Sequence, residues 1–186
     1  MLERRDSYRD LCRDFRWSIP ERFNIGVAVA DRWAAREPGR TALLDYRAGG
    51  EPERLSFGEL AQRSNAFSNA LRARGIRRGD RVALLLPQSF ETVIAHLAIY
   101  KLGAIALPLA LLFGVEALEY RLQTAGVKLV VTNPTGAAKL ANIGGRMPGF
   151  EASSSSRAAG RTSSRNSSPT IPGISSPSRP GRTIRL

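Results

Sequence analysis

Four places in the chain hold residue types that could do chemistry. SSSSRAAGRTSS at 153–164 combines Ser, Gly, Thr and Arg, the residues that cradle phosphates through hydroxyls and backbone amides. A working loop of that kind sits between a strand and a helix, which aim its N–H groups at the anion. Here no strand pattern precedes the stretch and no helical pattern follows it. NPTGAAKL at 133–140 stands in a better place, after a strand and opening a helix, but it has one Gly and no Gly-Lys-Ser/Thr. It predicts an ordinary helix start. His96 lies on an apolar helix without a carboxylate or nucleophile at hand, and is expected to be a hydrogen-bonded structural histidine. Cys12 lies in a charged N-terminal segment without a His partner, so it is not expected to be a nucleophile. As the only cysteine it can form no intramolecular disulfide, and with one His a zinc centre of the usual ligands is not expected. No G-x-G-x-x-G occurs. These residues assign no catalytic, cofactor-binding or metal site.

The elements that would have to position a site are clearer. Asn24 predicts the cap of a helix reaching Arg36, with Ile25, Ala28, Val29 and Trp33 on its inner face. TALLDY at 41–46 and RLSF at 54–57 read as a hairpin. Ser56 and Glu59 form a capping box, and Leu55 can staple against Leu60. Phe57, Leu60, Phe67 and Leu71 then recur at helical spacing, with Ser64 in the one non-apolar seat. Arg72 and Arg74 suit the helix C-terminus, and Gly75 supplies a left-handed terminator.

VALLL at 82–86 is a continuous apolar run, as in a strand buried on both faces. Ser89 caps a mostly apolar helix to Leu102, and AIALPL at 104–109 is the next strand, with Pro108 at its end. A helix over 115–125 turns Val115, Leu118, Leu122 and Ala125 inward. KLVVT at 128–132 is a third strand, and 135–142 a short helix. The order predicts an α/β fold: a partial parallel βαβαβ sheet with right-handed crossovers, preceded by a helix and a β-hairpin. The pattern stops near Ile143. From Ala152 onward there are eleven Ser, six Arg, four Pro and no aromatic residue, which predicts a disordered tail.

Charge follows the same division. The net charge is +12, but residues 144–186 hold seven Arg against one acid, Glu151, so half of it sits in the last 43 residues. The preceding part carries both signs interleaved, as a solvated surface does. Arg outnumbers Lys 25 to 3, a bias that GC-rich coding produces without any phosphate recognition. The N-terminus has charges where a signal peptide needs an apolar stretch. The longest uncharged apolar run, 102–115, is too short to span a bilayer. A cytoplasmic location is expected.

Three stretches in this order resemble the start of an AMP-forming acyl-CoA synthetase of the adenylate-forming superfamily. They are LSFGELAQRSNAFSNALRARGIRRGDRVALLLPQS at 55–89, HLAIYKLGAIALPL at 96–109 and FGVEALEYRLQTAGVKLVVT at 113–132. GVEALEYRL is most similar to the medium-chain fatty acid and aromatic acid branches. The resemblance covers about residues 8–151. It implies a two-step ligase: a carboxylate attacks the α-phosphorus of ATP, and the thiol of coenzyme A then displaces AMP from the acyl-adenylate. The family uses ATP, Mg2+ and coenzyme A. Its phosphate loop, acids and C-terminal catalytic Lys all lie downstream of the segment seen here, so no cofactor is expected for this chain. The 153–164 stretch lacks the glycine spacing and the Lys of the family's loop.

Three readings follow. In the favoured one, residues 1–151 are an N-terminal fragment of the adenylation domain, and 152–186 a tail arising from a change of frame near Glu151. Such a chain would be catalytically silent alone, with an unpaired sheet edge. In the second, the basic tail binds nucleic acid or acidic surfaces, though it has no aromatic for base stacking. In the third, another chain supplies the missing remainder of a split ligase.

Overall fold

The protein is described from a computed structural model, in which residues 4, 6–46, 50–143 and 152–154 are described. Helix α1 (Tyr8–Asp14) lies outside the core and buries none of its residues. A π-helical turn (Val27–Asp31) runs into α2 (Arg32–Arg36), and β1 (Thr41–Asp45) pairs antiparallel with β2 (Glu53–Ser56). There follow α3 (Phe57–Ala73), β3 (Arg81–Leu85), α4 (Phe90–Lys101), β4 (Ile105–Pro108), α5 (Val115–Thr124), β5 (Leu129–Thr132), α6 (Pro134–Ala141) and β6 (Ala152–Ser154). The main sheet is parallel, in the order β4-β3-β5-β6.

Local chemistry explains why α3 starts and stops where it does. Ser56 Oγ accepts from the Glu59 N–H at 3.3 Å while Glu59 Oε2 accepts from the Ser56 N–H at 2.9 Å, a reciprocal capping box. Leu55 and Leu60, the expected staple, are both buried in one cluster. At the other end Gly75 takes φ +81°, the left-handed conformation that ends the helix.

The apolar run of β3 is sandwiched as its composition requires. Val82 and Leu84 join Leu129 and Val131 beneath α3 and α4. Ala83 and Leu85, pointing the other way, join Val130 beneath α5 and α6, against Leu118, Leu122, Leu140 and Ile143.

Two expectations are corrected. Ile25 and Val29 do not face inward: they are exposed, and Gly26 and Ala30 are the buried pair. The reason is steric. The segment lies so close to the C-terminal turn of α4 that a Cβ on Gly26 would stand 2.7 Å from Lys101 Cγ and 2.8 Å from the Leu97 carbonyl oxygen. Only the smallest side chains fit that approach, and the larger ones turn out. The second correction concerns the start of the tail. Ala152–Ser154 form β6, with Val130 opposite Ala152 and Thr132 opposite Ser154. The pairing is made by backbone N–H and C=O groups, which every one of these residues carries, so no apolar pattern announces it. The expectation of disorder for 155–186 lies outside the described residues.

Candidate functional site

In an open parallel sheet the place for a ligand is beyond the carboxyl ends of the strands. Here those ends are tied to one another. Thr132 Oγ1, fully buried at the end of β5, donates to the Leu85 carbonyl at the end of β3 over 2.8 Å. Asn133 then caps α6, its Oδ1 accepting from the Gly136 N–H at 2.9 Å. Gly136 has no room for a side chain: a Cβ there would stand 2.0 Å from Thr132 Oγ1 and 3.1 Å from Leu85 Cδ2. The glycine of NPTGAAKL is thus required by packing against β5 and β3.

Lys139, the cation of that stretch, reaches back across the same end. Its Nζ donates to the carbonyl of Leu111 and, at 3.2 Å, to that of Phe113, fastening the loop after β4 onto α6. Arg121 lies over the Phe113 ring at 4.3 Å and covers the loop from α5. At the end of β3, Thr92 Oγ1 donates to the Pro87 carbonyl at 2.5 Å, and Ser89 caps α4 without a side-chain bond to its amides. The two groups best suited to an anion, the Gly136 amide and the Lys139 ammonium, are both engaged within the fold. NPTGAAKL therefore does not fit the phosphates of ATP.

The other residues weighed in the sequence are also accounted for. His96 is half-buried, its Nδ1 2.8 Å from the Thr92 carbonyl and its ring beside Tyr100. Cys12 is exposed on α1. The structure does not bring His96 and Cys12 into one constellation with the strand ends. Of the 153–164 stretch only Ser153 and Ser154, in β6, are described. Among the described residues no three His, Cys, Asp or Glu side chains cluster as metal ligands would. Nor is any helix among them long and apolar enough to cross a membrane.

Sequence reasoning missed the most elaborate polar cluster, at the junction of α4, α3 and the π turn. Lys101 Nζ, with 6% of its side chain exposed, donates to Asp31 Oδ1 at 2.8 Å, Ser64 Oγ at 2.9 Å and Asn65 Oδ1 at 2.8 Å. All three ammonium protons are used, as a buried lysine requires. The Ser64 hydroxyl passes its own proton to the Leu60 carbonyl at 2.7 Å. Asn24 joins the same corner from below. Its Oδ1 accepts from the Val27 N–H at 3.1 Å, and its Nδ2 donates to the Tyr100 and Lys101 carbonyls that end α4. A signal was available: Ser64 in an apolar stripe and Lys101 at the end of an apolar helix are two local anomalies that answer each other.

Two carboxylates are held below their ordinary range. For Glu59 the main cause is the bond from the Ser56 backbone N–H, followed by the Ser56 hydroxyl. For Asp80 burial pushes the pKa up, but bonds from Lys128 and the Arg77 N–H, with the charges of Lys128 and Arg81, together outweigh it. Lys128 Nζ stands 2.8 Å from Asp80 and also reaches the Gly75 carbonyl, so this pair braces the amino ends of the strands.

The family model described as AMP-binding enzyme matches residues 30–171. The chain belongs to the AMP-binding enzyme family. Over 133 residues it is 34% identical to acyl-coenzyme A synthetase ACSM3, mitochondrial, of Homo sapiens, covering 68% of this chain but 23% of that protein. Acetyl-coenzyme A synthetase of Coprinopsis cinerea is 32% identical over 125 residues, 66% of this chain and 19% of its own. A solved Brucella canis acyl-CoA synthetase superposes with a TM-score of 0.67 at 33% identity, over 74% of this chain and 27% of that one. The anthranilate CoA ligase AuaEII in complex with anthranoyl-AMP gives 0.60 at 26%, over 70% and 24%. This AMP-binding family chain thus spans less than a quarter of the length of these curated relatives. Acyl- and acetyl-coenzyme A synthetases match at nearly equal identity.

Proposed function

We propose that these residues are the N-terminal portion of the adenylation domain of an ATP-dependent acid–CoA ligase, and that they do not adenylate a carboxylate by themselves. The observation that carries the reading is the fate of Lys139 and Gly136. The lysine and the glycine of NPTGAAKL, the stretch at the strand ends best placed for an anion, are spent on carbonyls and on packing. In this reading the strand ends form a rigid wall of a cleft whose phosphate-binding, metal-binding and transferring groups belong to the downstream part of the ligase. ATP, Mg2+ and coenzyme A are cofactors of the assembled activity, and none is a cofactor of these residues alone. The expected location is the cytoplasm.

ATP–pyrophosphate exchange with a panel of fatty and aromatic carboxylates is the direct test. The chain alone should give no exchange above the blank, and exchange by the chain alone would sink the proposal. Exchange that appears only on mixing with the separately produced remainder of a relative would support the division of labour and a split ligase.

The boundary near 151 belongs to the same proposal. It is tested by reading the encoding DNA beyond codon 151 in the other two frames. A frame that resumes strand and helix patterns and soon supplies a phosphate loop supports it, and two frames closed by stops would remove it.

A further inference from the structure

The segment before and within the π turn shows an apolar surface that nothing else in the described residues covers. Trp17 is 80% exposed and Ile19 77%, in a stretch without regular structure, and Phe23, Ile25 and Val29, also exposed, extend this run of apolar side chains along the sequence onto the helix. Clusters of exposed large apolar side chains on this scale mark contact surfaces. Its charge is one-sided. Arg16, Arg22, Arg32 and Arg36 are all exposed along it, and Arg32 lies over the Phe23 ring at 5.9 Å. Between Phe15 and Arg36 the acids are Glu21 and Asp31, and Asp31 is turned inward to Lys101. Outward, four arginines therefore stand with Glu21, while Asp14 and Glu37 at the two ends are paired with Arg13 and Arg40.

We propose that this face is a peripheral docking surface for an anionic phospholipid surface. Trp and Phe suit the boundary between headgroups and acyl chains, where an apolar ring can sink while its neighbours stay wet. The arginines can keep their stems along the apolar surface and their guanidinium groups among the phosphates. The extended stretch around Trp17 is not locked by a helix, so its side chains can settle at different depths. The ion pair of Asp31 with Lys101 contributes directly, because it neutralises the carboxylate that would oppose an anionic surface.

The test is co-sedimentation of the full chain with vesicles of phosphatidylglycerol and phosphatidylcholine, against vesicles of phosphatidylcholine alone. Trp17 fluorescence is followed in a Trp33→Phe background. Binding to the anionic vesicles only, with a blue shift of Trp17 emission, is the expected result. Raising salt from about 0.1 M to about 0.5 M should reduce it strongly. The double variant W17S/F23S should lose about tenfold or more in bound fraction, since most of the inserted apolar area is gone. Both positions are exposed, so circular dichroism should show the fold retained.

Absence of binding to the anionic vesicles overturns the proposal. Undiminished binding by W17S/F23S also overturns it, and would assign the contact to the basic residues after 151. A lipid-free dimer that W17S/F23S breaks would assign the face to a second copy of this chain. Protection of Trp17 from iodide by the separately produced ligase remainder, but not by vesicles, would assign it to that partner.

Discussion

On one side of the sheet α3 and α4 lay Leu60, Phe67, Ile94 and Leu97 against Val82, Leu84 and Val131, and beside this packing they enclose a lysine. On the other side α5 and α6 bring Leu118, Leu122, Leu140 and Ile143 onto Ala83, Leu85 and Val130, with the buried Thr132 hydroxyl bonded to the Leu85 carbonyl and no charge enclosed. The first side is larger and tolerates a charge because Asp31, Ser64 and Asn65 satisfy it completely. The second is smaller and relies on fit, with Gly136 pressed onto Thr132. The comparison teaches that a buried charge network is used on one face of the sheet, whereas close glycine packing is used beside both, at Gly26 and Gly136. An error in the first leaves an unpaired charge, and an error in the second leaves a clash.

Lys101→Ala should break the comparison most forcefully. It leaves Asp31 without its cation and Ser64 and Asn65 without a donor. The loss is expected to be about 3 kcal/mol in urea unfolding, the lower end for a broken buried pair because Asp31 keeps 28% exposure and can rehydrate. The double variant K101M/D31L should recover much of it, and an additive result would show that the pair is not coupled.

Gly136→Ala tests the opposite face. The overpacking at Thr132 should cost about 2 kcal/mol after the helix-propensity gain of alanine. The paired change G136A/T132A should be less destabilised than the sum of its parts. Equal additivity would show that the Thr132 contact does not decide the site.

Ser56→Ala acts outside both faces and should cost about 1 kcal/mol through the lost cap. A cost as large as that of Lys101→Ala would mean that the start of α3, and not the buried junction, governs the first side.

The smallest effect expected is in pH dependence. Glu59 and Asp80 have lowered pKa values in the fold, so their contribution is fully present above the ordinary carboxylate range. It is lost as pH falls through their folded values. Glu59→Gln should flatten part of that acid limb in a thermal-melt series. An unchanged limb would assign it to other carboxylates.

Much of the architecture was legible beforehand because it is written in local terms. The capping box, Gly75 and the two-sided apolar run of β3 each follow from neighbouring residues alone. The inner face of the 24–36 segment was not legible. Periodicity favours the largest apolar residues, Ile25 and Val29, whereas the approach to α4 admits only Gly26 and Ala30. β6 was missed for a related reason: a ladder on β5 holds Ala152–Ser154 without any apolar signal in their own side chains. At the strand ends the sequence showed that NPTGAAKL is a poor phosphate site. It could not show that Lys139 is fastened to Leu111 and Phe113, since those partners lie 28 and 26 residues away.

By itself, then, the sequence determined the α/β order, the helix termini and membership of the AMP-binding enzyme family, because propensity, capping and pattern act over a few residues and ordered motifs survive divergence. Only the tertiary structure decided which side chains are spent inside the fold. Gly136 and Lys139 stand in the stretch whose position in the sequence best suits an anion site. Their roles depend on distances between elements, which are fixed only when helices and strands pack.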